Sequence, residues 1–156
     1  MFLSVYHLLS IVVAFAHHPH LLILDEATSG LDPIVREDIL DMFLEFVQDE
    51  KHSILVSSHI TSDLEKVADY IVFIHAGKII FCKPKDELLE HYGIIKCGAA
   101  QFGAMDKDDI IAYRKQDYEW QILVADREKA AKKYPKAMVI GATIDEIMLL
   151  YVKGEK

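Results

Sequence analysis

The fold of this chain is set by the stretch Leu21-Leu22-Ile23-Leu24-Asp25-Glu26-Ala27-Thr28-Ser29-Gly30-Leu31-Asp32-Pro33. Its run of aliphatic residues predicts a short strand buried on both faces, as in a parallel sheet beneath helices. Asp25 and Glu26 follow directly, at the carboxyl end of the strand, where open α/β sheets bind their ligands. Adjacent carboxylates beside an apolar strand are costly to bury unless a cation meets them. The stretch therefore predicts a ligand site at this end of the strand.

The same stretch resembles the Walker B strand and D-loop of ATP-binding-cassette (ABC) ATPases. In that family, aliphatic residues precede Asp-Glu and then a Ser-Gly-Leu-Asp turn, and this chain has each of those parts in order. The resemblance implies an α/β fold, a partial P-loop NTPase (RecA-like) parallel sheet flanked by helices. It also implies ATP and Mg²⁺ as cofactors, and ATP hydrolysis coupled to transport as the activity of the family.

A second buried strand is predicted at Ser53-Ile54-Leu55-Val56-Ser57, and a helix that begins at Pro33 connects it to the first strand. Strand, helix and strand form a right-handed βαβ unit. Because parallel strands end at the same edge of a sheet, we expect His59 to lie beside Asp25 and Glu26. Its setting in Ser-Ser-His resembles the H-loop of ABC ATPases.

The resemblance implies a role for each of these side chains. Asp25 holds Mg²⁺ through water, since a carboxylate at a strand end suits this cation. Glu26 orients and polarises the attacking water as a general base, and strand alternation predicts that it points away from Asp25. His59 donates a hydrogen bond to the γ-phosphate. The turn that faces a second cassette and its nucleotide comprises Ser29, Gly30, Leu31 and Asp32.

The phosphate cradle of the family does not occur in these 156 residues. A P-loop needs Gly, four residues and then Gly-Lys-Ser/Thr. The pairs Gly93/Gly98 and Gly98/Gly103 have the spacing but lack the lysine and the hydroxyl. The signature Leu-Ser-Gly-Gly is replaced at the equivalent positions 1–4. The resemblance therefore covers the second half of an ATPase core, about Leu9 to Tyr92, and we expect no ATP hydrolysis by the isolated chain.

The expected partners follow from the same resemblance. They are a separate membrane-spanning transporter subunit, and either a second ATP-binding cassette in a head-to-tail dimer or a missing N-terminal half. The chain is then expected to be cytoplasmic and peripheral to the inner face of the cell membrane through its partner. Whether the truncation reflects a gene fragment, a split gene or a misplaced start stays open, and the cargo is expected to be selected by the membrane subunit.

The alternative function is a non-enzymatic interaction module that keeps the fold without a nucleotide site. The replaced signature at positions 1–4 favours this alternative slightly. The intact set Asp25, Glu26 and His59 favours the nucleotide site.

A metal site is a third possibility, built from His17, His18 and His20 with His59 or His75. Adjacent histidines around a proline point in different directions. No acid or cysteine stands at ligand spacing from them. The pattern therefore disfavours a metal centre.

Composition narrows the class of protein. A chain of 156 residues holds one domain, or one domain and a small appendage. Its 52% hydrophobic content argues against disorder, and its net charge of −8 argues against general nucleic-acid binding. Cys82 and Cys97 match no zinc or CxxC spacing, which predicts buried free thiols in a reducing cytosol.

The N-terminal segment Met1 to Ala16 contains no Asp, Glu, Lys or Arg. It lacks the basic n-region of a signal peptide, and Pro19 follows too early for a membrane span of about 20 residues. The segment therefore predicts a buried helix over Leu3 to His17.

We predict an ATPase core at 1–92 and an accessory α+β extension at 93–156. In the core, Asp32 is the predicted N-cap of the helix that starts at Pro33, Ser62 to Glu65 form a capping box, and His75-Ala76-Gly77 join a hairpin. The predicted elements of the extension are strands at Ile94–Cys97, Trp120–Val124 and Ala137–Ile140, a helix at Asp106–Arg114, a helix at Arg127–Tyr134 capped by Asp126, and a capping box at Thr143–Glu146 that opens a last helix through about Val152.

Overall fold

The computed structural model describes residues 2–155, with side chains described for residue 6 and for residues 8–155. The chain forms two compact units, Met1–Ala68 and Asp69–Lys156. The predicted domain bounds, 1–92 and 93–156, stay a prediction. The comparison of positions 1–4 with the signature motif lies outside the residues whose side chains are described.

The first unit alternates helices and strands, as the sequence predicts. Strands β1 and β2 pair in parallel, with Asp25 opposite Ser57. Asp32 caps the intervening helix, because its Oδ1 accepts a hydrogen bond from the Ile34 amide at 2.9 Å. The elements are α1 (Phe2–Ala16), β1 (Leu21–Asp25), α2 (Pro33–Phe46), β2 (Ser53–Ser57) and α3 (Thr61–Val67).

Helices cover only one face of the β1–β2 pair. On the covered face, Leu22 is 3% exposed, whereas on the other face Ile23 is 71% exposed and its neighbour Leu55 is 60% exposed. The prediction of strands buried on both faces is therefore wrong. The core of this unit lies on the covered face and consists of Ile11, Ala27, Ile39, Leu40 and Phe43.

Helix α1 is also buried on one side only. Ile11 is buried, but Leu9, Val12 and Val13 are exposed, so within this chain the predicted helix is buried on one side only. Among the residues that the structure describes, no helix combines the length and the apolar character that crossing a bilayer requires.

The first unit is thus α/β in architecture. Its parallel sheet has only the strands β1 and β2. A sheet of that size is too small to identify a P-loop NTPase fold, and the helices do not flank it on both faces as predicted.

Helix α3 begins differently from the prediction. Its N-cap is Ile60, which makes no side-chain cap hydrogen bond. Ser62 lies in the first turn and accepts a hydrogen bond from Arg36 Nη2 at 3.1 Å, while Asp63 binds Thr28 and Arg36. The predicted capping box at Ser62 is therefore wrong, because these polar side chains bind other elements.

The second unit contains a hairpin and an antiparallel sheet of order β6-β7-β5-β8. Its elements are β3 (Tyr70–His75), β4 (Lys78–Pro84), α4 (Lys85–His91), β5 (Gly93–Cys97), α5 (Ala99–Phe102), a 3₁₀ turn (Lys107–Asp109), β6 (Ala112–Gln116), β7 (Glu119–Val124), α6 (Arg127–Lys133), β8 (Met138–Gly141) and α7 (Ile144–Lys153).

Local capping and turn signals predict much of this unit correctly. The hairpin β3–β4 turns at Ala76 and Gly77, whose φ values are +48° and +73°, and such left-handed pairs match the twist of hairpin strands. Asp126 accepts from the Lys129 amide at 2.9 Å and caps α6. Thr143 forms the predicted capping box of α7 with Glu146.

The helix predicted over Asp106 to Arg114 is wrong. Asp106 caps only a 3₁₀ turn, in which its Oδ1 accepts from the Asp108 amide at 3.2 Å. The residues that follow form β6 and pair with β7. Tertiary pairing with a neighbouring strand thus overrides the local helical pattern.

The two cysteines differ in environment. Both are free, but Cys82 is exposed, contrary to the prediction, and Cys97 is buried. Burial raises the pKa of the Cys97 thiol.

We expect the uncovered face of the β1–β2 pair to drive self-association of the isolated chain. Exposed apolar surface and unpaired strand edges both favour association. The double substitution Ile23→Thr with Leu55→Thr should shift the protein toward monomer in sedimentation velocity. As a control, Leu22→Thr on the covered face should lower the free energy of unfolding by about 2 kcal/mol without reducing association. A wild-type chain that is monomeric at high concentration would contradict the expectation.

We expect the second unit to lose stability in acid through Asp109. Hydrogen bonds from Lys133 Nζ at 2.6 Å and Tyr134 Oη at 2.7 Å lower the pKa of Asp109 from 3.8 to about 2. Because the folded pKa is the lower one, the stabilisation is present above 3.8 and disappears as the pH falls toward about 2. Asp109→Asn should therefore flatten the acid dependence of urea unfolding, followed through the fluorescence of the single tryptophan, Trp120.

The matched control for that experiment is Asp108→Asn. Asp108 is exposed and adjoins Asp109, so its substitution should leave the acid dependence unchanged. Equal curves for Asp109→Asn and the wild type would show that the ion pairs of Asp109 do not stabilise this unit.

Candidate functional site

The parallel register of β1 and β2 builds the predicted site at one edge of the sheet. Asp25 lies directly opposite Ser57, and the Ser57 hydroxyl donates a hydrogen bond to Asp25 Oδ1. The Glu26 amide donates to the Ser57 carbonyl at 3.0 Å and lies 3.2 Å from its Oγ. Asp25 and Glu26 are therefore hydrogen-bonded to the last residue of β2.

His59 contacts Glu26 at this edge. Its Nδ1 lies 2.6 Å from Glu26 Oε2. An ionised carboxylate can only accept, so the Nδ1–H donates. The side chains of His59 and Glu26 are 68% and 37% exposed, which leaves the pair open to a ligand. Asp25, Glu26 and His59 thus lie together, as the βαβ geometry predicts.

Glu26 lies in a strained turn. Strand β1 ends at Asp25, and Glu26 has φ of +49°, in the left-handed region that residues with a Cβ rarely adopt. Strand alternation therefore does not decide its direction. The two carboxylates have different partners, since Asp25 binds Ser57 and Glu26 binds His59.

The turn after Glu26 is tight. The Ser29 amide donates to the Glu26 carbonyl at 3.0 Å, and the Leu31 amide donates to the Thr28 carbonyl at 3.4 Å. Gly30 has φ of +70°, where a side chain would be strained. Asp32 ends the turn as the cap of α2. The contact of these residues with a nucleotide stays a prediction.

The structure adds a buried polar cluster that the sequence analysis missed. Thr28 and Asp63 are each 3% exposed, and Thr28 Oγ1 donates to Asp63 Oδ2 at 2.6 Å. Arg36 Nε donates to Asp63 Oδ1 at 2.8 Å. Thr28 and Asp63 are 35 residues apart, so no local spacing signals their contact.

The histidines do not form the alternative metal site among the described residues. There, no group of three or more His, Cys, Asp and Glu side chains has the arrangement of a metal centre. His17 Nδ1 lies 2.8 Å from the Val13 carbonyl oxygen. The His17 ring is therefore in contact with the backbone of α1.

The oxygen atoms at the site fit Mg²⁺ held with a nucleotide. Asp25 and Glu26 supply adjacent exposed carboxylates, and the Ser57 hydroxyl lies against Asp25. Mg²⁺ commonly binds one or two carboxylates and completes its shell with water and substrate phosphates. The residues present suit that arrangement better than a complete protein cage.

These features define the class of protein: an α/β protein with carboxylates and an imidazole at the carboxyl edge of parallel strands. Curated proteins of known family are similar to this chain. The chain is 35% identical over 109 residues, 70% of its length, to the ABC transporter ATP-binding protein YtrB of Bacillus subtilis. It is 45% identical over 78 residues, 50% of its length, to the lantibiotic transport ATP-binding protein SrtF of Streptococcus pyogenes. It is 40% identical over 80 residues, 51% of its length, to the bacitracin transport ATP-binding protein BcrA of Bacillus licheniformis.

The chain is thus homologous to part of the nucleotide-binding domain of ABC transporter ATP-binding proteins. It spans about a third or less of these relatives, namely 35% of YtrB, 34% of SrtF and 26% of BcrA. No family model matches the chain.

We expect the strain at Glu26 to be measurable as a difference between two variants that both lack the carboxylate. Glu26→Gly should be more stable than Glu26→Ala by about 1 kcal/mol, because glycine adopts positive φ freely. Urea unfolding followed by far-UV circular dichroism measures the difference. At Asp25, inside β1, the same pair of substitutions should give the opposite order, and an Ala variant as stable as Gly at position 26 would refute the strain.

Proposed function

We propose that this chain provides the catalytic edge of an ABC transporter ATP-binding subunit. In this proposal Asp25 binds Mg²⁺ through water, Glu26 polarises the attacking water, and His59 contacts the γ-phosphate. Ser29, Gly30, Leu31 and Asp32 face a second cassette. The observation that carries the proposal is the 2.6 Å contact between His59 and Glu26 beside Asp25, in a chain homologous to ATP-binding proteins.

Phosphoryl transfer needs positioning and charge stabilisation more than covalent chemistry from the protein. Mg²⁺ and the nucleotide phosphates, when bound, supply the neutralising charge and the reacting bond. Glu26 has one oxygen bound to His59, and its other oxygen is available to accept a proton from water. The exposed carboxylate of Asp25 is held in place by Ser57.

The contact between His59 and Glu26 constrains the state of the imidazole. With Nδ1–H donating to Glu26, the Nε2 atom can donate to a phosphate oxygen only when the ring carries both protons. His59 is therefore suited to bridge Glu26 and a phosphate as an imidazolium. In the singly protonated ring, donation to phosphate would require the contact with Glu26 to break.

The phosphate cradle must come from outside these 156 residues, because no Gly-x₄-Gly-Lys-Ser/Thr occurs in them. We assign its docking to the uncovered face of the β1–β2 pair, where Ile23 and Leu55 are exposed beside the carboxylates. A membrane-spanning subunit would then hold the assembly at the inner face of the membrane.

In this proposal the membrane-spanning subunit selects the cargo. Two of the relatives are named for lantibiotic and for bacitracin transport, so the shared region occurs in proteins named for different cargoes. We therefore propose that this chain contributes to energy coupling and not to cargo recognition.

A chimera tests the proposal. The segment of SrtF that aligns with this chain is replaced by the matching segment of the chain, and Mg²⁺-dependent phosphate release from ATP is measured beside the parent SrtF. The chimera should hydrolyse ATP, and Glu26→Gln or His59→Ala should slow it by about 100-fold or more, as loss of a general base or charge-stabilising group does. The 156-residue chain alone should release no phosphate.

Glu37→Gln is the control, because Glu37 is an exposed carboxylate on α2 that pairs with Lys66. It should leave the rate of the chimera unchanged. Turnover that survives Glu26→Gln would refute the assigned role. A folded chimera that neither binds nor hydrolyses ATP would support the alternative, a non-enzymatic interaction module.

A further inference from the structure

Thr28 and Asp63 form a buried polar contact beside the site, and the proposed function gives them no part. The two residues lie on different elements: Thr28 is two positions after Glu26, and Asp63 is four positions after His59. Their side chains meet at 2.6 Å. The contact therefore joins the loop that carries Glu26 to the helix that follows His59.

Both carboxylate oxygens of Asp63 accept hydrogen bonds. Oδ2 accepts from Thr28, and Oδ1 accepts from Arg36 Nε and Nη2. A buried carboxylate is tolerated only when cations and donors satisfy it in this way. Hydrogen bonds to a carboxylate are stronger than those between neutral groups. The Thr28 hydroxyl therefore fixes the loop that carries Glu26 to Asp63.

The loop needs such an anchor. Glu26 has φ of +49°, a conformation that persists in a non-glycine residue only when its surroundings impose it. The Ser57 carbonyl holds the Glu26 amide from one side. Thr28 holds the other end of the turn through Asp63.

We propose that Asp63 is a positioning residue that, through Thr28, holds the Glu26 loop against α3 and so sets the contact between Glu26 and His59. This inference rests on the proposed roles of Glu26 and His59. Arg36 on α2 holds the carboxylate of Asp63 in place.

If Asp63 had only a structural role, that role would be to attach α3 to α2. Lys66 already provides such a link. Its Nζ donates to Glu37 and to Asp41, the latter at 2.8 Å. This link joins the same two helices without touching the Glu26 loop. Lys66→Gln is therefore the matched control for a loss of packing between α2 and α3.

The test uses the full chain without nucleotide. It measures the amide exchange of Ser29 and the ¹⁵N signals of the His59 ring by NMR. Thr28→Val keeps the shape of the side chain and removes the donor. It should make the amide of Ser29, which binds the Glu26 carbonyl, exchange about fivefold faster, as loss of one hydrogen bond predicts. It should also move the ¹⁵N signals of the His59 ring most of the way to their positions in Glu26→Gln.

Thr28→Ser retains the hydroxyl and should restore the wild-type signals. Lys66→Gln should leave both the His59 signals and the Ser29 exchange unchanged. Equal effects of Thr28→Val and Lys66→Gln, or no effect of Thr28→Val, would overturn the positioning role. Asp63→Asn, if it folds, should act in the same direction as Thr28→Val.

Glu26→Gln separates this inference from the proposed function. If that variant leaves the His59 ring signals unchanged, the contact between Glu26 and His59 is not formed, and the geometry behind the proposed function fails. If Glu26→Gln moves the signals and Thr28→Val does not, only the positioning role of Asp63 fails.

Discussion

The parallel pairing of β1 with β2 is the constraint on which the first unit depends. Its register sets Asp25 opposite Ser57, so the residues just after each strand meet at one edge. Glu26 then reaches His59 at 2.6 Å, although the two are 33 positions apart in the chain. A register shifted by one residue would turn every side chain of a strand to the other face, and Asp25 would no longer meet Ser57.

The same pairing leaves the unit asymmetric. Helix packing buries Leu22 on one face and leaves Ile23 and Leu55 exposed on the other. The edge that carries Asp25, Glu26 and His59 therefore adjoins an apolar surface that no described element of this unit covers. In a homologue of ABC transporter ATP-binding proteins, an open apolar face beside carboxylates fits a site completed by a further segment of protein. Strain at Glu26 and the buried anchor at Asp63 fit the same picture, since binding sites are built from constrained loops.

Local signals in the sequence predicted the elements well where side chains bind their own backbone. The caps at Asp32, Asp126 and Thr143 formed as expected, because a cap bonds within a few residues of itself. Prediction failed where distant partners decided the outcome. Ser62 did not cap α3, since Arg36 binds it. The segment 112–116 became strand β6 instead of helix, since β7 pairs with it.

For the site, the amino-acid sequence by itself determined the identity and order of the candidate groups: two carboxylates at the end of one strand and an imidazole after the next, with the resemblance to ABC ATPases that they carry. Strand periodicity and the βαβ connection were enough to bring them to one edge. Only the tertiary structure decided the left-handed turn of Glu26, the open face at Ile23, and the Thr28–Asp63–Arg36 cluster. Those features depend on contacts between residues far apart in the chain, and hydrophobic periodicity carries no information about such contacts.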